Sequence, residues 1–198
     1  MNKSFICIDN FYNNPDDVRE FALEQEYTTS GNYPGIRTIP HMTDSSKGII
    51  SDALNLNQEY DFGKQYCGSF QYTTSRDRSW IHADGTTEWA GVLYLTPNAP
   101  PSSGTGFFKF KEGGYTRYTD DEEMNKYIDT CSQDLTKWEK ITEVANVYNR
   151  LILYDARQFH MSLDYFGNDM YDGRLFQTFF FSSIEGRPAG TAKMRRGI

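Results

Sequence analysis

Hydrophobic positions along the chain predict short elements in its first third and a strand-rich remainder. The run from Ser4 to Ile8 is rich in Phe and Ile, which favours a first strand. Asn14 and Pro15 give a helix start, and apolar residues at helical spacing extend that helix to about Tyr27. A second short helix is expected over residues 44–54.

From residue 66 onward the pattern changes to short apolar runs separated by Gly, Pro or Asn. Several short strands punctuated by turn residues predict a β sandwich, a barrel or a jelly roll. The runs are CGSFQYTT, EWAGVLYLT, GTGFFKF, ITEVANVY, NRLILYDA and RLFQTFFFSS.

A helical insert of about residues 119–136 interrupts these strands. Thr119 and Glu122 have the spacing of a capping box, and the apolar residues that follow repeat at helical spacing. We therefore expect one domain over residues 1–198, mainly β with flanking helices. Residues 1–65 would support a β core of residues 66–183, and residues 185–198 would form a basic tail.

The loop of residues 31–40 precedes the second helix. Tyr33 opens a Tyr-Pro-Gly turn, and Arg37 leaves it among apolar neighbours. A surface arginine is one interpretation of Arg37, and a substrate-facing arginine is the other.

Composition narrows the classes of function and the compartment. The formal net charge of −7 argues against nucleic-acid binding but not against a small anionic substrate. Cys7, Cys67 and Cys131 are far apart and lack Cys-x-x-Cys spacing, which favours a reducing compartment. The chain shows neither a signal-peptide pattern nor an apolar run of membrane-spanning length. We expect a cytoplasmic protein without membrane partners.

A His-x-Asp pair lies in the stretch Trp80–Gly85. Alternate side chains of an extended strand point to one side, so His82 and Asp84 would converge. Together they provide two of the three ligands in the 2-His-1-carboxylate set that binds non-haem Fe(II). His160, at the end of a long apolar run, could supply the third. The motif is short and also occurs by chance, so a structural role is the alternative.

Arg174 begins an apolar strand, where it shares one face with Phe176, Thr178 and Phe180. A buried guanidinium needs an anion, and its planar fork matches a carboxylate. It would therefore hold either a carboxylate ligand or, as a structural ion pair, Asp172 or another acid.

The order of His-x-Asp, distal His and Arg on a closing strand resembles the Fe(II)/2-oxoglutarate-dependent dioxygenase superfamily, most closely its prolyl-4-hydroxylase-like branch. The stretches GTGFF and NRLILY resemble strands of that branch, and IDNFYNNPDDVREFA and YPGIR resemble an uncharacterised subfamily of these enzymes. The resemblance implies a double-stranded β-helix, which is a cupin-like jelly roll. One departure is the longer interval from His160 to Arg174, which we interpret as a lengthened hairpin loop containing DYFGNDMYDG.

The resemblance also implies the cofactors, which are Fe(II), the cosubstrate 2-oxoglutarate and O2, with ascorbate as a possible reductant. By that resemblance the metal ligands would be His82, Asp84 and His160. The residues implied in 2-oxoglutarate binding are Arg174, Tyr94, Tyr72 and Thr178.

The expected activity is hydroxylation of an amino-acid or peptidyl side chain or of a small metabolite, with succinate and CO2 as co-products. Arg37, Tyr33 and Trp89 are candidate substrate contacts. One alternative is a cupin-type metalloenzyme that does not use 2-oxoglutarate, in which Arg174 would be ion-paired away from the metal. Another is a non-catalytic jelly-roll binding protein, in which the three ligands would lie apart. The sequence does not indicate an oligomeric state.

Overall fold

Two antiparallel sheets pack against each other in the computed structural model, which describes residues 4–54 and 58–188. Three helices and two short 3-10 turns, Pro101–Ser103 and Leu135–Lys137, complete the described elements. In chain order the helices and strands are β1 (Phe5–Ile8), α1 (Pro15–Leu23), β2 (Ile36–Pro40), α2 (Asp44–Leu54), β3 (Gln58–Asp61), β4 (Ser69–Thr73), β5 (Trp89–Tyr94), β6 (Thr105–Phe110), α3 (Glu122–Thr130), β7 (Trp138–Val144), β8 (Leu151–Asp155), β9 (His160–Ser162) and β10 (Arg174–Pro188).

The sheet topology is that of a double-stranded β-helix. The larger sheet has the order β1-β8-β5-β10-β4-β2, and β3 pairs with the far part of β10. The smaller sheet has the order β7-β6-β9, and the backbone at His82 bridges to His160 at its edge. Because the chain crosses repeatedly between the two sheets from β5 to β10, the strands wind around a shared interior. The expected jelly roll is confirmed.

One row of paired residues crosses the inner face of the larger sheet. Arg37 pairs with Gln71, Gln71 with Phe176, and Phe176 with Tyr94. Directly paired residues on antiparallel strands project to the same face. This register therefore places an arginine from β2 on the same face as the inward residues of β10.

The helices cover the outer faces of the two sheets. Ala22 of α1 and Ile50 of α2 are buried against Leu153, Leu175 and other residues of the larger sheet. On the far side, α3 buries Ile128 in a cluster with Phe110, Trp138 and Phe159. The two N-terminal helices thus lie against the larger sheet, and α3 packs outside the smaller one.

Two of the three helices differ from the predictions at their ends, whereas α2 has the predicted bounds. Helix α1 ends at Leu23 instead of Tyr27, and Asn14 makes no side-chain capping hydrogen bond. The N-cap of α3 is Asp121, whose carboxylate accepts from two backbone N–H groups, so the predicted box at Thr119 is displaced by two residues. Thr43 caps α2, because its hydroxyl accepts from the Ser46 N–H at 3.2 Å.

The predicted loop of residues 31–40 is only half irregular, because Ile36–Pro40 forms strand β2 against β4. Gly35 makes the turn into this strand with a φ of +72°, and a Cβ there would lie 2.0 Å from the Tyr72 carbonyl oxygen. Only glycine fits such a position. The turn carries Arg37 into the sheet instead of leaving it on a surface loop.

Strands β3 and β9 are additions to the predicted set. Both are short, and β3 has the polar sequence QEYD. The predicted tail from residue 185 is also revised, since β10 continues to Pro188, which is paired with Gln58. Residues 189–198 lie outside the described part of the chain.

Two further properties concern the helices and the cysteines. Within residues 4–54 and 58–188, no helix combines the length and hydropathy that crossing a bilayer requires. The cysteines Cys7, Cys67 and Cys131 are all free.

The buried face of β8 provides a test of the core. Leu153 is 0% exposed, and we expect Leu153→Ala to lower the free energy of unfolding by about 2–5 kcal/mol through lost burial and a residual cavity. Urea denaturation followed by circular dichroism measures the change. The matched control is Leu135→Ala, since Leu135 is 57% exposed, and we expect it to cost less than about 0.5 kcal/mol. Equal losses in the two variants would contradict the assigned core.

Candidate metal centre and adjoining cavity

Three side chains predicted as metal ligands converge at the edge of the smaller sheet. The ligand atoms of His82, Asp84 and His160 all lie within 4.8 Å of one another. The carboxylate oxygens of Asp84 are 3.9 Å from His82 Nε2 and 3.4 Å from His160 Nε2. Two hydrogen bonds between the backbones of His82 and His160, of 3.0 and 2.9 Å, bring together these distant parts of the chain.

The orientation of both imidazole rings is set by backbone carbonyls. His82 Nδ1 lies 3.0 Å from the Trp80 carbonyl oxygen, and His160 Nδ1 lies 2.9 Å from that of Gln158. A carbonyl oxygen only accepts, so each Nδ1 must carry the proton. Each Nε2 then offers its lone pair toward the shared point, as in metal sites whose ligands are held by neighbouring groups.

The protonation states of the cluster suit a cation. Burial, together with the nearby charge of His160, lowers the pKa of His82 to about 4, so its imidazole is neutral at physiological pH. Burial raises the pKa of Asp84, but the neighbouring His160, with smaller effects from His82 and Arg37, brings the pKa below its ordinary value. His82 and Asp84 are therefore in the deprotonated forms that metal coordination requires.

A cavity of about 450 Å³ lies in front of the three ligands, between the two sheets. Among the described residues that line it, Asp84 is the only acid. The lining also includes Tyr33, Arg37, Lys64, Tyr66, Gln71, Trp80, Thr105, Tyr154, Phe176, Thr178 and Phe180.

Arg174 lies at the end of the inner face of β10 and is completely buried. Its Nε donates to the Ser103 carbonyl at 3.0 Å, whereas Nη1 and Nη2 have no hydrogen-bond partner among the described residues. Its guanidinium carbon is 4.4 Å from the ring centroid of Phe176. Since unpaired buried donors are costly, this guanidinium has the features of a socket for an anion.

The ion pair that was the alternative role for Arg174 does not form. The carboxylate of Asp172 accepts instead from the backbone N–H groups of Asn168 and Asp169 and from the Asn168 side chain. No acidic residue in the described part of the chain pairs with Arg174.

Tyr94 adjoins Arg174. Its hydroxyl lies 2.8 Å from Thr105 Oγ1, and its ring centroid is 5.4 Å from the Arg174 guanidinium carbon. Neither Tyr94 nor Arg174 lines the open cavity, whereas their contacts Thr105 and Phe176 do. The polar end formed by Arg174, Tyr94 and Thr105 therefore lies just behind the cavity wall.

Two predicted site residues face away from the cavity because of the two-residue period of their strands. Tyr72 is paired with Leu175 and packs on Tyr27, 5.1 Å between ring centroids, so its neighbour Gln71 takes the inward position. Trp89 packs in the outer core cluster. The cavity has Trp80 in its lining instead.

Three other predicted residues do line the cavity, namely Thr178, Tyr33 and Arg37. The Thr178 hydroxyl lies 3.0 Å from the Tyr66 carbonyl and 3.2 Å from the Ser69 carbonyl, so its proton is already engaged by backbone. Tyr33 and Arg37 are in mutual contact, with the guanidinium carbon 3.7 Å from the ring centroid.

Some lining residues were not predicted, namely Gln71, Tyr66, Trp80 and Tyr154. Side chains alternate between the two faces of β4, so Gln71 could have been identified if the inward face of that strand had been known. Trp80 precedes His82 by two positions and therefore falls on the same side of an extended segment.

A second groove of about 590 Å³ adjoins the cavity. The two share Ser79, Trp80, Ser162 and Tyr165, and the groove continues past Gln133 and Asp164. A ligand at the three convergent side chains therefore has room to extend along the surface in this direction.

Solved structures with a similar fold are known at low sequence identity. HygX from Streptomyces hygroscopicus, solved with nickel and 2-oxoglutarate bound, is 11% identical, with a TM-score of 0.59 over 90% of this chain and 82% of HygX. The non-heme alpha-ketoglutarate-dependent epimerase SnoN from nogalamycin biosynthesis is also 11% identical, with a TM-score of 0.57 over 96% of this chain and 83% of SnoN.

A third similar structure is a prolyl hydroxylase from Trichoplax adhaerens in complex with a hypoxia inducible factor peptide fragment. It is 12% identical, with a TM-score of 0.51 over 90% of this chain and 83% of that protein. At such identities the likeness establishes the fold, and it confirms at that level the resemblance to Fe(II)/2-oxoglutarate oxygenases.

Family membership follows from the sequence itself. A family model described as a family of unknown function, DUF6445, matches residues 1–181. No curated protein matches the chain significantly. Since the match covers the N-terminal support and almost all of the β core, the chain belongs to the DUF6445 family.

Proposed function

We propose that this protein is a non-haem Fe(II)- and 2-oxoglutarate-dependent oxygenase that hydroxylates a small molecule or a peptidyl side chain. The observation that carries the proposal is the combination of two features, one that lines the cavity and one that lies just behind its wall. These are the convergent cluster His82, Asp84 and His160, and the buried, unpaired guanidinium of Arg174.

The donor set fits Fe(II). Two neutral imidazole nitrogens and one carboxylate are the ligands of the facial triad used by non-haem iron oxygenases, and they leave coordination positions open for other ligands. His82, Asp84 and His160 would hold the metal from the smaller-sheet side. The carbonyls of Trp80 and Gln158, which hold the two rings, would keep their orientation during exchange of the other ligands.

The surroundings of Arg174 fit the distal carboxylate of 2-oxoglutarate. Its two free Nη donors match the bidentate geometry of a carboxylate, and the Tyr94 hydroxyl adjoins them. An anion there would satisfy both donors at once, at a position free of any competing acid in the described residues.

Bound Fe(II) and 2-oxoglutarate, with O2, would supply oxidation of a substrate C–H bond coupled to decarboxylation, with succinate and CO2 as co-products. The chain's own residues would position the reactants and exclude water. Tyr154, Phe176 and Phe180 give the cavity aromatic walls, which suits a site that must protect a strong oxidant from solvent. Ascorbate would serve as an external reductant in assays.

The substrate class is supported by the space beside the centre. The cavity and its adjoining groove accommodate either a compact metabolite or an extended chain. HygX has also been solved with hygromycin B, and the Trichoplax adhaerens prolyl hydroxylase with a peptide. A reducing cytoplasm fits the three free cysteines, and the net charge of −7 disfavours a nucleic-acid substrate.

The two alternative functions require arrangements that are not seen here. A non-catalytic binding protein would leave the three ligand residues apart, but their ligand atoms are clustered. A metalloenzyme that does not use 2-oxoglutarate would have Arg174 in an ion pair, but no described acid pairs with it.

The first test is metal binding. Calorimetric titration with Co(II) should give one metal-binding site per wild-type chain. We expect His82→Ala and His160→Ala each to weaken metal binding by more than about 100-fold. Removal of a metal ligand lowers metal affinity more than removal of a residue that only hydrogen-bonds a ligand. His41→Ala is the matched control, since His41 packs between Phe21 and Phe70 away from the cluster. Comparable losses in all three variants would contradict the assigned centre.

The second test is cosubstrate binding and turnover. With Fe(II), ascorbate and O2, we expect the wild type to release succinate from 2-oxoglutarate. Arg174→Gln should raise the KM for 2-oxoglutarate by about 30-fold or more, because it removes one partner of a buried charged pair. Arg76→Gln, at an exposed arginine, is the matched control. An unchanged KM in Arg174→Gln, or no succinate from the wild type, would refute the cosubstrate assignment.

A further inference from the structure

A second buried guanidinium, that of Arg37, lies in the cavity beside the candidate metal centre. Arg37 is only 7% exposed and comes from β2, which forms one edge of the larger sheet. The register with Gln71 places it on the inner face, in the same row as Phe176. Its charge is therefore held within the site and not at the protein surface.

The orientation of this guanidinium is fixed by its neighbours. Nε donates to Gln71 Oε1 at 2.6 Å, and Gln71 Nε2 in turn donates to the Pro34 carbonyl at 2.5 Å. The guanidinium carbon lies 3.7 Å from the Tyr33 ring centroid and 4.9 Å from that of Tyr66. The contacts with the Tyr33 ring face and the Gln71 side-chain amide hold the plane of the Arg37 guanidinium. Of its donors, only Nε is used.

The free edge of Arg37 has no anion of its own. None of the described residues accepts a hydrogen bond from Nη1 or Nη2, and none forms an ion pair with Arg37. Unlike the corresponding atoms of Arg174, these two atoms are not sealed off from the cavity. Asp84 attracts Arg37 through space, but its carboxylate already belongs to the cluster with the two histidines. The donors of Arg37 are thus available to a ligand.

The charges of the site favour a further anion. Arg37 and Arg174 are two fixed positive charges, whereas Asp84 is the only acid among the described lining residues. Lys64 at the lining is already paired with Asp61 at 3.0 Å. A divalent metal ion and a dicarboxylate carry equal and opposite charges. Binding of both therefore leaves the excess of arginine charge over the charge of Asp84 unchanged. One positive charge therefore remains uncompensated when the proposed metal and cosubstrate are both bound.

We propose that Arg37 binds an anionic group of the primary substrate, a carboxylate or a phosphate. This inference rests on the proposed function, because it assigns the metal and Arg174 to Fe(II) and 2-oxoglutarate. The substrate is then an acid, such as a free amino acid, another organic acid or a phosphorylated metabolite. An uncharged residue inside a peptide would leave Arg37 buried without a partner, which costs binding energy.

The test compares matched charged and neutral probes on protein loaded with Zn(II) and 2-oxoglutarate, which cannot turn over. The probes are free L-amino acids, their carboxamides and inorganic phosphate. Titration is followed by the ¹⁵N resonance of the Arg37 Nε, assigned by its loss in Arg37→Gln, and by calorimetry. We expect a preference for carboxylate over carboxamide, or for phosphate, of about 10-fold or more, from charge-assisted hydrogen bonds. The carboxylate and phosphate arms identify which anion is preferred.

Two variants separate a binding role from a structural one. Arg37→Gln should abolish the preference for anions, while its affinity for 2-oxoglutarate stays within about threefold of the wild type. Arg37→Lys keeps the positive charge but loses the planar set of guanidinium N–H donors, so it should retain a weaker preference for anionic probes. Melting temperatures measured on all variants confirm that they are folded.

Several outcomes would overturn the inference. No preference for anions in the wild type would do so, as would a preference that persists in Arg37→Gln. A loss of 2-oxoglutarate affinity in Arg37→Gln as large as that in Arg174→Gln would show that Arg37 holds the cosubstrate instead. Failure of the proposed function would be recognised by a different result, since the wild-type protein would then bind neither Zn(II) nor 2-oxoglutarate. The anion preference of Arg37 is then measured on the metal-free protein with the same probes.

Discussion

The backbone bridge between His82 and His160 is the interaction on which the candidate site depends. Each residue donates its N–H to the carbonyl of the other, at 3.0 and 2.9 Å. A third hydrogen bond, from the Asp84 N–H to the Ala156 carbonyl at 2.7 Å, holds the His-x-Asp segment against the loop before β9. Because the three ligands lie on segments that are joined directly, their separation is set by sheet geometry and not by flexible loops. The backbone hydrogen bonds therefore hold the three ligand residues close together.

The other half of the site depends on the register of β10. This strand is paired with β4 on one side and β5 on the other, so Arg174, Phe176 and Thr178 face the interior. The alternate residue Gln177 faces outward and is still completely buried, held by the Tyr12 hydroxyl at 2.7 Å and the Gly68 carbonyl at 2.8 Å. A slip of one residue would exchange these two sets of side chains. Buried polar partners on the outer face thus help to keep Arg174 on the inner face.

The sequence predicted those parts of the site in which the residue type carries the chemistry. His82 and Asp84 were identifiable from their His-x-Asp spacing. His160 and Arg174 were identifiable because few roles suit a histidine or an arginine next to or within an apolar strand. The assignments of Tyr72 and Trp89 to the site did not match the structure for a different reason. Aromatic residues suit both faces of a strand, so only the register decides which face they occupy. That register depends on pairing between distant segments, which a single sequence does not reveal. The same holds for β2, whose strand character comes from its partner β4.

The two arginines also explain why aromatic residues are so abundant around this site. The guanidinium of Arg174 lies on Phe176 and near Tyr94, and that of Arg37 lies on Tyr33 and near Tyr66. A ring face stabilises a buried cation by about 0.5–2 kcal/mol. The loss of hydration on burial costs several kcal/mol per ion. The rings therefore offset only part of this cost and leave each cation in need of an anion. Binding of the proposed anions would recover the remainder, so both arginines would exchange some folding stability for ligand affinity.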